Sequence, residues 1–167
     1  PLLYKNMGAD GLKTGHTEES GYGLTGTAVR KDRRLILVVN GLPSNKSRAR
    51  EAERLLEWGF REFGNYSLFE SGETVTEADV WLGTAPKVPL VIEEGLVLTL
   101  PRKARSEMKV TVSFEGPIAA PIAVGDQIAV MTITAPGIEA RQIPLRAGAE
   151  VGQLGLFGRL GAAVEYI

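Results

Sequence analysis

The sequence predicts a mainly β fold with one or two helices (α+β), and three observations carry that prediction. Residues 8–42 alternate short apolar runs with tight polar turns. A stretch around residue 50 repeats its apolar residues at spacings of three and four. Beyond residue 66 the period falls to two, and Gly and Pro punctuate the chain. These changes of period divide the chain into residues 1–66, a small sandwich-like β module over 67–150, and an amphipathic segment over 151–167.

The first part reads as an antiparallel meander, with strands over residues 8–15, 22–30 and 34–41 joined by residues 17–21 and by Lys31-Asp32-Arg33. Leu35-Ile36-Leu37-Val38-Val39 is apolar on both faces, which predicts a central strand covered on each side by helices. One such helix is legible over residues 47–63. Ala49, Ala52, Leu56, Phe60 and Phe63 fall on one side, Arg48, Arg50, Glu51, Glu53 and Glu57 elsewhere. Ser44 or Ser47 is its expected cap and Gly64-Asn65 its stop.

After the boundary, strands are expected over residues 88–92, 96–100, 109–114, 127–134 and 142–145. The strictest alternation is Met108-Lys109-Val110-Thr111-Val112-Ser113-Phe114, which buries one face and wets the other. Gly95, Gly116-Pro117, Gly125-Asp126 and Pro136-Gly137 fall where turns are needed. The last segment returns to helical spacing, with Val151, Leu154, Phe157, Leu160, Val164 and Ile167 on one stripe. Its four glycines each cost about 1 kcal/mol relative to alanine, so this helix needs a surface: the β module, a partner or a bilayer interface.

Composition narrows the function. A net charge of −1 over 167 residues and a pI near 6.0 give no field for a polyanion, which argues against nucleic acid. The absence of cysteine removes disulfides, thiolate metal ligands and thiol catalysis, and one histidine gives a poor basis for zinc. No cofactor is called for. No run approaches the roughly 18 apolar residues of a spanning helix. Pro1-Leu2-Leu3-Tyr4-Lys5 lacks the pattern of a signal peptide, and the expectation is a chain that begins in mid-domain.

The chemistry-bearing motif is Lys13-Thr14-Gly15. A lysine, a hydroxyl and a residue without Cβ on an extended strand suit a ligand that adds alongside: backbone pairing holds it, Gly15 permits close approach, and Lys13 sets a positive field. The surrounding Asp10-Gly11-Leu12-Lys13-Thr14-Gly15-His16-Thr17, then Gly21-Tyr22, strongly resembles the corresponding segment of the low-molecular-mass penicillin-binding proteins, serine-type D-Ala-D-Ala carboxypeptidases. Arg50-Glu51-Ala52-Glu53, Leu55-Leu56 and Trp58-Gly59-Phe60 resemble the closing helix of that family's transpeptidase-like (β-lactamase-like) domain. A β-rich C-terminal domain and a terminal amphipathic helix also occur in it.

The resemblance implies an enzyme that trims the terminal D-Ala from peptidoglycan stem peptides through an acyl-enzyme, binds β-lactams, and works in the bacterial periplasm at the outer face of the inner membrane. It implies substrate binding by Lys13, Thr14, Gly15 and His16. Lys13 is a supporting catalytic group, Thr14 a donor to the substrate carboxylate, and the backbone N–H of His16 part of an oxyanion hole. The imidazole is not expected to be the general base, because a lysine in Ser-x-x-Lys has that role in the family.

The family's Ser-x-x-Lys and Ser-x-Asn motifs precede the Lys-Thr-Gly strand, and neither occurs before residue 8. Ser44-Asn45-Lys46-Ser47 has similar letters on the wrong side and reads as the start of a helix. The expectation is a chain without its nucleophile, inactive alone and partnered by the N-terminal half of its catalytic domain. An exposed half-sheet is also expected to dimerise or swap elements. Two other readings stand: a serine β-lactamase fragment, and a non-enzymatic β-rich binding module. The second is suggested by Ala120-Pro121-Ile122-Ala123-Val124-Gly125-Asp126, similar to a turn of lipoyl and biotinyl domains. The segment 151–167 has two readings of its own, docking on the β module and an in-plane membrane anchor. Arg102-Lys103-Ala104-Arg105 reads as a solvated turn.

Overall fold

Strands β1 (Ala9–Thr17), β2 (Gly21–Arg30) and β3 (Arg33–Leu42) pair antiparallel in the order β1-β2-β3. The turn between β2 and β3 is Lys31-Asp32, with φ of 46° and 61°. Two successive left-handed residues match the right-handed twist of a hairpin, which explains why so short a loop suffices. Helix α1 (Asn45–Glu62) follows and packs on β2 and β3. Ser44 caps it, its side chain accepting from the Ser47 N–H at 3.1 Å.

The far end of α1 differs from expectation. Gly64-Asn65 does not stop it with a left-handed turn. Phe63 is already extended, its N–H donating to the Gly59 carbonyl, and the chain enters the next strand directly. Arg33 from β3 donates to the carbonyls of Gly59 (2.5 Å) and Phe63, so a side chain from the sheet satisfies helix-end acceptors that a glycine cap would otherwise serve.

Met7, Ala28, Ala52 and Leu56 form the buried core of this unit, with Ala9, Leu24, Leu35, Leu37 and Phe60 packed around them. The prediction of a central strand over 35–39 is corrected here. Among the described residues β3 is an edge strand, and the second helical cover is absent: Ile36 and Val38 are 67% and 63% exposed, as is Leu12 at 67%. Apolar residues on both faces report what each face prefers to contact, not the strand's rank in the sheet.

The structure is a computed structural model describing residues 5–155 and 158, and its contacts divide into two units, Pro1–Asn65 and Tyr66–Ile167. The chain passes from one to the other within β4 (Phe63–Phe69). The second unit contains β5 (Thr74–Trp81), β6 (Lys87–Val91), β7 (Leu96–Pro101), a 3-10 turn (Ala104–Glu107), β8 (Lys109–Ser113), β9 (Ile118–Ala119), β10 (Gln127–Thr134) and β11 (Arg141–Ala147). Six strands form one sheet in the order β8-β10-β11-β6-β5-β9, and β4 pairs with β7. Within the six-stranded sheet β5 and β9 pair parallel and the other neighbours antiparallel. The core draws Ala78 from β5, Val88 and Leu90 from β6, Leu96, Leu98 and Leu100 from β7, Met131 and Ile133 from β10, and Leu145 from β11.

The helix expected over 151–167 meets a partial correction. Val151 bridges to Ile122 and Gln153 to Gly83, so the first residues are extended; their backbone groups pair with the β module instead of with each other. Nearly all of the remaining segment lies outside the described residues. Among those described, no helix is long and apolar enough to cross a membrane.

Candidate functional site

The four residues singled out from the sequence stand consecutively on β1. Lys13 pairs with Thr25, Thr14 with Leu24, Gly15 with Gly23 and His16 with Tyr22, all on β2. The other edge of β1 has no strand partner among the described residues. All four are exposed, and with Ser20, Gly21, Asn40 and their neighbours they line an open groove of about 350 Å³. A Cβ built on Gly15 meets nothing within 4 Å, so the strand is fully approachable there. Lys13 folds its ammonium onto the Thr14 carbonyl at 2.9 Å.

One residue at this site escaped the sequence reading. Arg48, in the first turn of α1, donates to the Gly15 carbonyl at 3.1 Å and the Gly23 carbonyl at 3.5 Å, and its other nitrogen donates to Asn45 Oδ1 at 2.9 Å. Its guanidinium lies 5.6 Å from the Tyr22 ring centroid, and the Tyr22 ring in turn lies 3.9 Å from that of His16. The sequence showed Arg48 only as a polar position on a helix. The signal that would have found it is its place just after the Ser44 cap, where a long side chain reaches back over the strand ends. The loop from β1 to β2 is held separately, the Ser20 N–H donating to Thr17 Oγ1 at 2.9 Å.

Asp10, at the start of β1, pairs with Arg34, whose guanidinium also donates to Thr27 Oγ1 at 2.6 Å. Ser44 and Ser47 are occupied in capping α1. A Ser-x-x-Lys tetrapeptide occurs at Ser106-Glu107-Met108-Lys109, in the second unit. Ser106 there donates to the Lys103 carbonyl within the 3-10 turn, and Lys109 opens β8.

Comparison with known proteins decides the family. The D-alanyl-D-alanine carboxypeptidase family matches residues 1–44, and the family described as penicillin-binding protein 5, C-terminal domain, matches residues 63–153. The chain belongs to the D-alanyl-D-alanine carboxypeptidase family. D-alanyl-D-alanine carboxypeptidase DacD of Salmonella typhimurium is 35% identical over 95% of the chain, and DacA of Haemophilus influenzae 33% over 95%. The crystal structure of penicillin binding protein 5 from Haemophilus influenzae superposes with a TM-score of 0.73, at 32% identity, covering 91% of the chain and 45% of that structure. The chain spans 41% of the length of these two curated relatives. Within this carboxypeptidase family the three-stranded unit falls in the stretch matched to the enzyme itself, and the β module is its C-terminal domain.

Proposed function

We propose that this chain forms the Lys-Thr-Gly wall of a serine D-Ala-D-Ala carboxypeptidase that removes the terminal D-Ala of peptidoglycan stem peptides and is acylated by penicillin at the same site. The observation that carries the reading is the unpaired edge of β1 with Lys13, Thr14 and Gly15 side by side on an open groove. An extended peptide ending in a carboxylate aligns along such an edge. Thr14 donates its hydroxyl to the carboxylate, Lys13 holds the local field positive, and Gly15 leaves room for the reacting carbonyl. The His16 N–H assists in holding the oxyanion, while its ring, tilted 34° against that of Tyr22, shapes the end of the groove.

Acyl transfer also needs a nucleophile and its base. The unit that carries Lys13 contains no Ser-x-x-Lys sequence, so the activated serine is contributed by the remainder of the catalytic domain, packed on the strand face that presents Ile36 and Val38. On this reading the parent works in the periplasm, at the outer face of the inner membrane, with residues 151–167 as the candidate membrane contact. The chain alone is expected to give no covalent band with labelled penicillin, and a band would overturn this assignment of the nucleophile. In the full-length parent, Lys13→Ala and Thr14→Val are expected to slow acylation by roughly a hundredfold or more while leaving the fold intact. Unchanged acylation rates would sink the role given to β1.

A further inference from the structure

We infer that β8 is a self-association edge, at which a second copy of this chain adds antiparallel about a two-fold axis through Val112. Among the described residues β8 ends the six-stranded sheet and pairs only with β10, through Lys109 to Ser113. An unpaired edge of this length is a template for another strand unless its side chains oppose pairing. Here they favour it, and they choose the partner.

In an antiparallel pair, directly opposed residues share a face, so a dyad at Val112 sets residue 111 against 113 of the second copy within β8 and, with pairing carried on through Phe114 and Glu115 just beyond the strand's end, 110 against 114 and 109 against 115. The ammonium of Lys109 then faces the carboxylate of Glu115, and Thr111 faces Ser113. On the other face Val110 meets Phe114. These two are 40% and 39% exposed in the single chain, and the pairing covers both. By symmetry each contact is made twice. A register shifted by one residue would set Val110 against Ser113 and place apolar against polar side chains, and a dyad at Thr111 would leave Lys109 and Glu115 without each other. The sequence Lys109-Val110-Thr111-Val112-Ser113-Phe114-Glu115 therefore complements its own reversal in one register. The contact is small, so the dimer is weak and concentration-dependent.

Charge reversal tests this without touching the core, since Lys109 and Glu115 are both exposed. Sedimentation of the whole chain over a concentration series is expected to show monomer and dimer in equilibrium. Lys109→Glu alone and Glu115→Lys alone should each weaken association by roughly tenfold, and the double variant should restore it. A carbodiimide, which condenses an amine with a carboxylate, should join Lys109 to Glu115. Six residues along a strand span about 20 Å, too far for a bond within one chain, so a mixture of light and heavy isotope-labelled chains should yield the mixed cross-link. A chain that stays monomeric at every concentration overturns the proposal. So does a dimer unmoved by either single reversal, which would place the contact on another surface such as the Ile36 and Val38 face. A double variant as weak as the singles overturns the register.

Discussion

Arg48 is the residue on which the geometry of the groove depends. It joins the carbonyls of Gly15 and Gly23, which are opposite one another on β1 and β2, to the first turn of α1. Arg48→Ala should cost about 1 kcal/mol in chemical denaturation, from three lost hydrogen bonds at a partly exposed site, and Arg48→Lys should recover only part because an ammonium lacks the fork that spans several acceptors. Glu57 makes a second residue-scale case. A hydrogen bond from Arg30 holds its carboxyl below the usual glutamate range, against a smaller opposing effect of burial, and the same bond raises Arg30. A depressed carboxyl stabilises the fold above its unfolded pKa of about 4.3, and that contribution is lost as pH falls through the folded value. The stability difference between the parent chain and Glu57→Gln, measured in urea, should therefore be present at neutral pH and shrink in acid. Persistence of the full difference in acid would point to packing instead.

At the scale of elements, β3 presents two faces with different duties. Leu35 and Leu37 pack against the core under α1, whereas Ile36 and Val38 face outward. Ile36→Thr and Val38→Thr should each change the stability of this chain by no more than about 0.5 kcal/mol, while both should weaken assembly with the catalytic-domain remainder proposed above. Denaturation and co-purification measure the two effects separately. The meander, α1 and five strands of the β module were legible because their apolar residues keep one period and their turns carry the right chemistry. Three strands were not, of which β9 is only two residues long and too short to show a period. β5 has a register irregularity between Thr74 and Thr76, so Val75 falls out of phase with Thr76, Ala78 and Val80, and Glu77 and Asp79 make the stretch look like a loop. β4 was hidden because Gly64-Asn65 resembles a helix stop, whereas α1 gives way to strand at Phe63. At the site, the contiguous Lys13-Thr14-Gly15-His16 was readable as a motif. Arg48 was not, because its neighbours on β1 and β2 lie 33 and 25 residues away in the chain.

For the molecule as a whole, two separate cores imply two separable unfolding events. Leu56 anchors the first and Met131 the second, each fully buried. Truncating either to alanine should cost about 2–5 kcal/mol in its own unit. Calorimetry should accordingly show Leu56→Ala lowering one transition and Met131→Ala the other; a single transition shifted by both would mean that the units unfold as one. The helix of the first unit carries a final consequence. Arginine-to-carbonyl bonds fasten α1 near both ends, from Arg33 to Gly59 at one and from Arg48 to Gly15 at the other. A rod pinned twice can neither roll nor slide, so its length acts as a gauge. One residue inserted between the pins would turn one fastening by about 100° relative to the other, and the groove beside Gly15 would lose its brace although no residue lining it had changed.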